Sequence, residues 1–222
     1  MLEFVLASRN KNKIAEYTEL LSFLSGKVKI LSLDDIGFEG DIEEDGTSYE
    51  ENSVIKSSVP ASRGYIGLAD DSGLSVDVLD GAPGIYSARY AGAHVTYSDN
   101  NEKLLKALED VDNRAAKFVC VISLTFPIGA LDVPEELIDR ELSRYASEKA
   151  GRPVGVIAVR GECPGVITRE PRGREGFGYD PLFLYEPDGV TFAEMTHDEK
   201  NAVSHRGRAV EKFTRALKTL DL

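Results

Sequence analysis

Residues 67–77 read Gly-Leu-Ala-Asp-Asp-Ser-Gly-Leu-Ser-Val-Asp, and two adjacent carboxylates follow an apolar run. Leu68 and Ala69 are expected to end a buried strand, so that Asp70, Asp71 and Ser72 emerge at its carboxyl end, where open α/β sheets place ligands. Neighbouring carboxylates repel each other, and burying them is costly unless hydrogen bonds or a cation offset the charge. A hard divalent cation such as Mg²⁺ does this well. Taken alone, the stretch is equally well explained as an acidic turn in which Asp71 or Ser72 caps a helix or bonds its own backbone. The chemistry of the rest of the chain has to decide.

The chain has 222 residues, 42% hydrophobic and 29% charged, enough for one substantial core in a globular protein. A net charge of −12, from 26 basic and 38 acidic residues, excludes a surface built for non-specific binding to nucleic-acid backbone. A nucleotide can still be held in a local basic pocket. The two cysteines, Cys120 and Cys163, lie in different segments and imply neither a disulfide framework nor a zinc site. The apolar run Phe4 to Ala7 is too short for a signal peptide or a membrane span, and no later run approaches about 18 residues. A soluble, unprocessed, cytoplasmic protein is expected, without a membrane or nucleic-acid partner.

Upstream of the acidic pair, Glu3 to Ala7 reads as a strand, followed by the polar loop Ser8-Arg9-Asn10-Lys11-Asn12-Lys13. Ile14, Tyr17, Leu20, Leu21 and Leu24 then recur at helical spacing. A polar loop entering a helix N-terminus suits phosphate, with Ser8, Asn10 and Lys13 adding donors and charge, although Ser8 also reads as a plain cap. Val28 to Ser32 is a second strand, and Asp41-Ile42-Glu43-Glu44-Asp45-Gly46 is an acidic loop. Thr47 to Asn52 opens a capped helix with Val54, Ile55 and Val59 on its buried side. Lys56 in that helix lies twelve residues beyond Glu44, a spacing that allows both to reach one site.

Downstream, Gly81 to Gly84 is rich in turn formers and Arg89 reads either as a phosphate-facing group or as an ion-pair partner. Asn101 to Leu108 is an amphipathic helix, Ala116 to Phe126 a central strand, and Pro134 to Lys149 a charged helix. Val154 to Val159 and Gly165 to Thr168 are expected as two strands of a hairpin arm. Gly173-Arg174-Glu175-Gly176-Phe177-Gly178-Tyr179-Asp180-Pro181 sets an aromatic between glycines on a turn, ahead of a strand over Leu182 to Tyr185. Such a ring is open to a planar ligand, where stacking a base is worth about 1 to 3 kcal/mol. Phe192 to Glu199 reads as helical, and Lys200, His205 and Arg206 follow as candidate donors to a base or its phosphates. Arg208 to Leu220 closes the chain as an amphipathic helix.

Together these segments resemble the inosine triphosphate pyrophosphatases, also described as xanthosine and deoxyinosine triphosphate diphosphatases. The resemblance rests on Ser8 to Lys13, Glu44-Asp45-Gly46 with Glu51-Asn52 and Lys56, Ala69 to Gly73, Gly81 to Gly92, Gly173 to Pro181, Thr191 to Met195 and Lys200 to Gly207. It implies an α/β fold, an elongated mixed β-sheet with flanking helices in two lobes and an active-site cleft between them, forming one bilobed domain over residues 1–222 and usually a homodimer. The stretch from Ile128 to Arg152 is longer than that pattern carries.

The implied reaction is hydrolysis of a non-standard purine nucleoside triphosphate (ITP, dITP or XTP) to the monophosphate and pyrophosphate, cleansing the nucleotide pool. The resemblance assigns Ser8, Asn10, Lys13 and Lys56 to the phosphates, with Arg9, Lys11 and Asn12 of the same loop as further substrate-binding residues. It gives Glu44 and Asp71 to Mg²⁺, with Asp70 near the metal and Glu43 a lesser candidate. Asp71 is also the implied general base, and Ser72 a substrate contact. Phe177 would stack the base, and Gly176, Gly178, Tyr179, Asp180, Lys200, His205 and Arg206 would complete the pocket. A sensor that binds nucleotides without turnover, or a pyrophosphatase of broader specificity, are the alternatives.

Overall fold

The apolar and β-branched runs form one seven-stranded sheet of order β2-β1-β3-β4-β5-β6-β7. In this computed structural model, which describes residues 1–9, 14, 17–19 and 21–220, the strands are β1 (Leu2–Leu6), β2 (Val28–Ser32), β3 (Ile66–Val76), β4 (Ala115–Pro127), β5 (Val154–Ile167), β6 (Phe183–Tyr185) and β7 (Val190–Thr191). β1 pairs in parallel with β2 and β3, whereas β6 pairs antiparallel with β5 and β7, so the sheet is mixed. The helices are α1 (Tyr49–Ser62), α2 (Tyr97–Ala107), α3 (Arg140–Ala150), α4 (His197–Val203) and α5 (His205–Lys218).

The chain divides into two compact units whose boundaries fall inside β3, β4, β5 and α5. The first comprises Met1–Asp71, Val121–Arg160 and Val210–Leu222. Here α1 is buried on nearly every side. Ser53 and Ser57 meet Ser123 of β4 through hydroxyl bonds of 2.8 and 2.9 Å, while Val54 and Ala61 pack with Ala146 and Ala150 of α3. Serines on the sheet-facing side leave no room for a wide apolar stripe, and they satisfy one another in place of water. Ser48 caps α1, its hydroxyl accepting from the Glu51 amide at 3.1 Å.

The second unit comprises Ser72–Cys120 and Gly161–Ala209. Its core is a cluster around Leu74, Leu104, Phe118, Phe183 and Phe192, all buried. The capping boxes of Thr96 with Asp99 and Thr196 with Glu199 start α2 and α4.

Three expectations are corrected. β3 does not end at Ala69 but runs on through Asp70, Asp71 and Ser72 to Val76. β1 stops opposite Leu68, so the acidic pair stands past the end of the parallel partner while remaining within its own strand. The two-stranded arm is a single strand, β5, and Gly161 within it marks a close approach instead of a turn. A Cβ there would lie 2.2 Å from the His205 carbonyl oxygen and 2.4 Å from the Ala209 nitrogen, both in α5. The helix expected over Phe192 to Glu199 is a 3-10 turn at Phe192–Glu194 followed by α4, because Thr196 caps a new start. Of the N-terminal helical spacing, Leu20 lies outside the described residues, Ile14 and Tyr17 are helical, and Leu24 falls in a 3-10 turn at Ser22–Leu24, with Tyr17, Leu21 and Leu24 buried. In the Ile128 to Arg152 stretch, a 3-10 turn at Glu135–Leu137 precedes α3.

Candidate active site

In the first unit, two carboxylates converge on one ammonium. Lys56 Nζ of α1 donates to Glu44 Oε2 at 2.9 Å and to Asp71 Oδ1 at 2.8 Å. The Lys56 and Asp71 side chains are 13% and 12% exposed, so the pair is shielded from bulk water. Asp70 beside them is buried, Glu44 is half-buried and Glu43 faces solvent. Burial pushes the Asp71 carboxyl up to about 6 against the pull of Lys56, with Glu44 and Asp70 adding repulsion. Burial works against the Lys56 charge, yet Asp71 and Glu44 outweigh it and hold its pKa above the ordinary lysine value.

The second oxygen of Asp71, Oδ2, is buried and has no hydrogen-bond partner among the described residues. An unbonded carboxylate oxygen beside a second carboxylate is the donor chemistry a hard divalent cation takes. Among the described residues no cluster of three or more side chains of the metal-binding types occurs.

The loop carrying Glu44 is itself anchored. Gly46 donates its amide to the buried Asn52 at 3.0 Å, Thr47 bonds Glu51, and Asp45 pairs with Lys149 of α3 at 2.8 Å. Ser8 is half-buried, two residues beyond the end of β1. The Arg9 guanidinium bonds Asp34 at 3.2 Å and the Phe38 carbonyl at 2.9 Å. Asn10, Lys11, Asn12 and Lys13 lie outside the described residues.

In the second unit, Ser72, Phe177, Gly178, Tyr179, Asp180, Lys200, His205 and Arg206 line one cavity of about 170 Å³. Gly176 stands one residue outside its wall, where φ of +76° and the carboxylate of Asp180, 2.1 Å from any added Cβ, exclude a side chain. The turn is tied down by the Arg174 and Glu175 amides, both donating to the Ala193 carbonyl at 3.0 Å. Phe177 keeps 54% of its surface exposed, a large open aromatic at the mouth of a cavity.

Asp180, 2% exposed, accepts from Lys200 Nζ at 2.5 Å and from the Phe177 amide at 2.8 Å. This ion pair holds the ammonium 4.9 Å from the Phe177 ring centre, and the Arg206 guanidinium lies 6.0 Å from it. His205 stacks on Phe118 with ring centres 4.6 Å apart. Tyr179 is buried and its hydroxyl donates to the Ser87 carbonyl at 2.9 Å, so it forms wall. The Arg89 guanidinium lies 5.2 Å from the Tyr86 ring.

Sequence reasoning missed part of the lining: Gly73, Ser87, Ala88, Tyr97, Asn100 and Phe118. Ser87 lies in the turn-rich stretch already singled out, but Tyr97 and Asn100 occupy an ordinary amphipathic helix and Phe118 an ordinary apolar strand, so nothing local marks them. What the cavity offers chemically is a flat apolar face, several cationic donors and a buried carboxylate.

A Ham1 family model matches residues 4–216 of the chain. A dITP/XTP pyrophosphatase of Clostridium perfringens is 45% identical over 227 residues, 98% of each chain, and one of Geobacter sulfurreducens is 44% identical over 213 residues, 95% of this chain and 94% of the other. Among solved structures, a HAM1 protein from Coxiella burnetii superposes with a TM-score of 0.81 at 39% identity, covering 98% and 99% of the two chains. The Staphylococcus aureus Ham1 protein gives 0.81 at 32% identity, covering 97% and 98%.

Proposed function

The chain belongs to the Ham1 family, and we propose that it is a nucleoside triphosphate pyrophosphatase acting on non-standard purine nucleotides, dITP, ITP and XTP, to release pyrophosphate and the monophosphate. The relatives named dITP/XTP pyrophosphatase cover nearly its whole length. One observation favours turnover over a sensor that only binds: Lys56 bridges Glu44 and Asp71 while Asp71 Oδ2 stays buried without a partner among the described residues. Such a charge cluster is costly to bury and serves no purpose in holding a base.

In this reading the base enters the cavity of the second unit, where Phe177 stacks it and Lys200, His205 and Arg206 offer donors. A 6-oxo purine presents an acceptor to those donors, whereas adenine presents an amino group and leaves them unpaired. One buried donor left unpaired costs about 1 to 3 kcal/mol, so adenine is rejected.

Lys56 and Lys13 neutralise the phosphates, and Ser8 of the N-terminal loop donates a hydrogen bond to them. Glu44 and Asp71 would hold Mg²⁺, with Asp70 beside them, since the donor set is carboxylate oxygen. When bound, the ion supplies charge neutralisation on the phosphates and leaving pyrophosphate. Asp71, with its carboxyl near 6, is a base of useful strength at neutral pH and accepts the proton of the attacking water. The water oxygen bonds to the α-phosphorus as the bond to the bridging oxygen breaks, and Lys56 offsets the charge that develops. The working molecule is read as a cytoplasmic homodimer. Among the described residues no helix is long and apolar enough to cross a membrane.

Incubation with XTP, ITP, ATP and dUTP plus Mg²⁺, followed by separate assays for pyrophosphate and phosphate, tests the reading. Pyrophosphate from XTP and ITP far exceeding that from ATP and dUTP supports it. Comparable release from all four makes the enzyme a broad pyrophosphatase, and binding without release makes it a sensor.

A further inference from the structure

Phe177 is more than half exposed, so packing against the core holds little of its ring, and the ring's position is set by the hydrogen bonds of its turn. One of these is on its N-terminal side, where the Phe177 amide donates to Asp180 at 2.8 Å. On its C-terminal side the Phe177 carbonyl accepts from the Asp180 amide at 3.2 Å, and Asn101 Nδ2 of α2 donates to the Gly178 carbonyl at 3.0 Å. Asn101 Oδ1 is buried with no hydrogen-bond partner among the described residues, so no competing bond turns the amide, and the opposite flip would set two oxygens against each other.

The same helix also fixes the facing wall. Asn100, 3% exposed, accepts from the Ala91 amide at 2.7 Å and donates to the Ala88 carbonyl at 3.2 Å. Tyr97, one turn earlier, places its ring centre 6.3 Å from that of Phe177. Residues 97, 100 and 101 share one helical face, so a single rigid element gauges the cavity from both sides.

We propose that Asn101 is a positioning residue for base recognition, holding the Gly178 carbonyl so that the Phe177 ring stays at stacking height over the cavity. The inference rests on the reading of that cavity as the base pocket. Loss of one such bond loosens the ring without touching the carboxylate cluster, so binding suffers and the chemical step does not.

The test is a double-mutant cycle with Asn101→Leu, which keeps the number and branching of side-chain heavy atoms but not the donor, and Asn101→Asp, which keeps the shape. Each should raise KM for ITP and weaken binding of inosine by about tenfold, the size of one lost hydrogen bond, with kcat within about twofold. Inhibition by inorganic tripolyphosphate should not change. In a Phe177→Ala background the Asn101 substitutions should add less than about twofold, because the ring through which they act is gone. A full effect in that background, or an equal loss of tripolyphosphate binding, overturns the proposal in favour of general destabilisation. An unchanged KM in the Asn101 variants, with Phe177→Ala still raising it, overturns the positioning role and leaves the pocket standing. If Phe177→Ala itself leaves KM unchanged, the base-pocket reading falls and the proposal with it.

Discussion

The two units solve the burial of polar chemistry in opposite ways. The first concentrates charge: Glu44, Lys56 and Asp71 bond one another directly, with Asp70 adjacent, in a setting where Asp71 is 12% exposed. The second disperses it around a flat apolar surface, with one buried carboxylate, Asp180, spent on orienting Lys200 and the Phe177 amide. In the first, removing one member leaves an uncompensated charge, so each member depends on the others. In the second, the ring is exposed and Arg206 adds a separable increment, with only the buried Asp180–Lys200 pair depending on both its members. The carboxylate cluster should therefore fail abruptly on substitution, and the aromatic cavity by degrees.

The largest expected effect is that of Asp71→Asn, which should lower kcat by about a thousandfold or more while inosine binding stays measurable, since a carboxamide is a poor base and a weak metal ligand. Single-turnover assays beside calorimetric binding would check it, and near-normal turnover would remove Asp71 from the chemistry. Next, Phe177→Ala should raise KM for ITP by about ten- to a hundredfold, matching 1 to 3 kcal/mol of stacking, with kcat little altered. Were kcat to fall instead, the contrast between the units would break down. Arg206→Ala should come third, shrinking the ratio of kcat/KM between ITP and ATP by about tenfold. Equal slowing of both substrates would reassign Arg206 to the phosphates or to structure.

A last effect is read in stability and not in turnover. The Asp71 carboxyl titrates near 6 in the fold against 3.8 when unperturbed, chiefly because it is buried. A raised acid contributes stability that is present below about 4 and lost as pH rises through about 6. Ionising it in the folded protein thus costs on the order of 2 to 3 kcal/mol at neutral pH. In the presence of a chelator, the difference in melting temperature between the wild type and Asp71→Asn should move against the wild type between pH 4.5 and 7. A constant difference across that window would show that another group carries the titration.

Where local chemistry decides structure, the residues are readable one by one. The spacing of Val28 to Ser32 and of Ala116 to Phe126 marks strands, Ser48 announces α1, and glycines on both sides of Phe177 announce an open turn. Glu44, Lys56 and Asp71 were legible as chemistry through the resemblance of the whole series of motifs, since an acidic turn and a helical lysine taken singly read as ordinary surface. Their pairing through a single ammonium was not, since it depends on where α1 settles against β3 and β4 through Ser53, Ser57 and Ser123.

The amino-acid sequence by itself determined the alternation of strands and helices, the solvation of the acidic surface and the residue types at the site. Only the tertiary structure decided that β3 runs through Asp70 and Asp71, and that β5 runs through Gly161. It alone brings Tyr97, Asn100 and Phe118 to the wall of the cavity. The physical reason is range. Periodicity, capping and turn propensity act over a few residues, but a carboxylate can stay in mid-strand only if a distant lysine neutralises it. A glycine in a strand likewise gains its meaning from the helix backbone that another part of the chain presses against it.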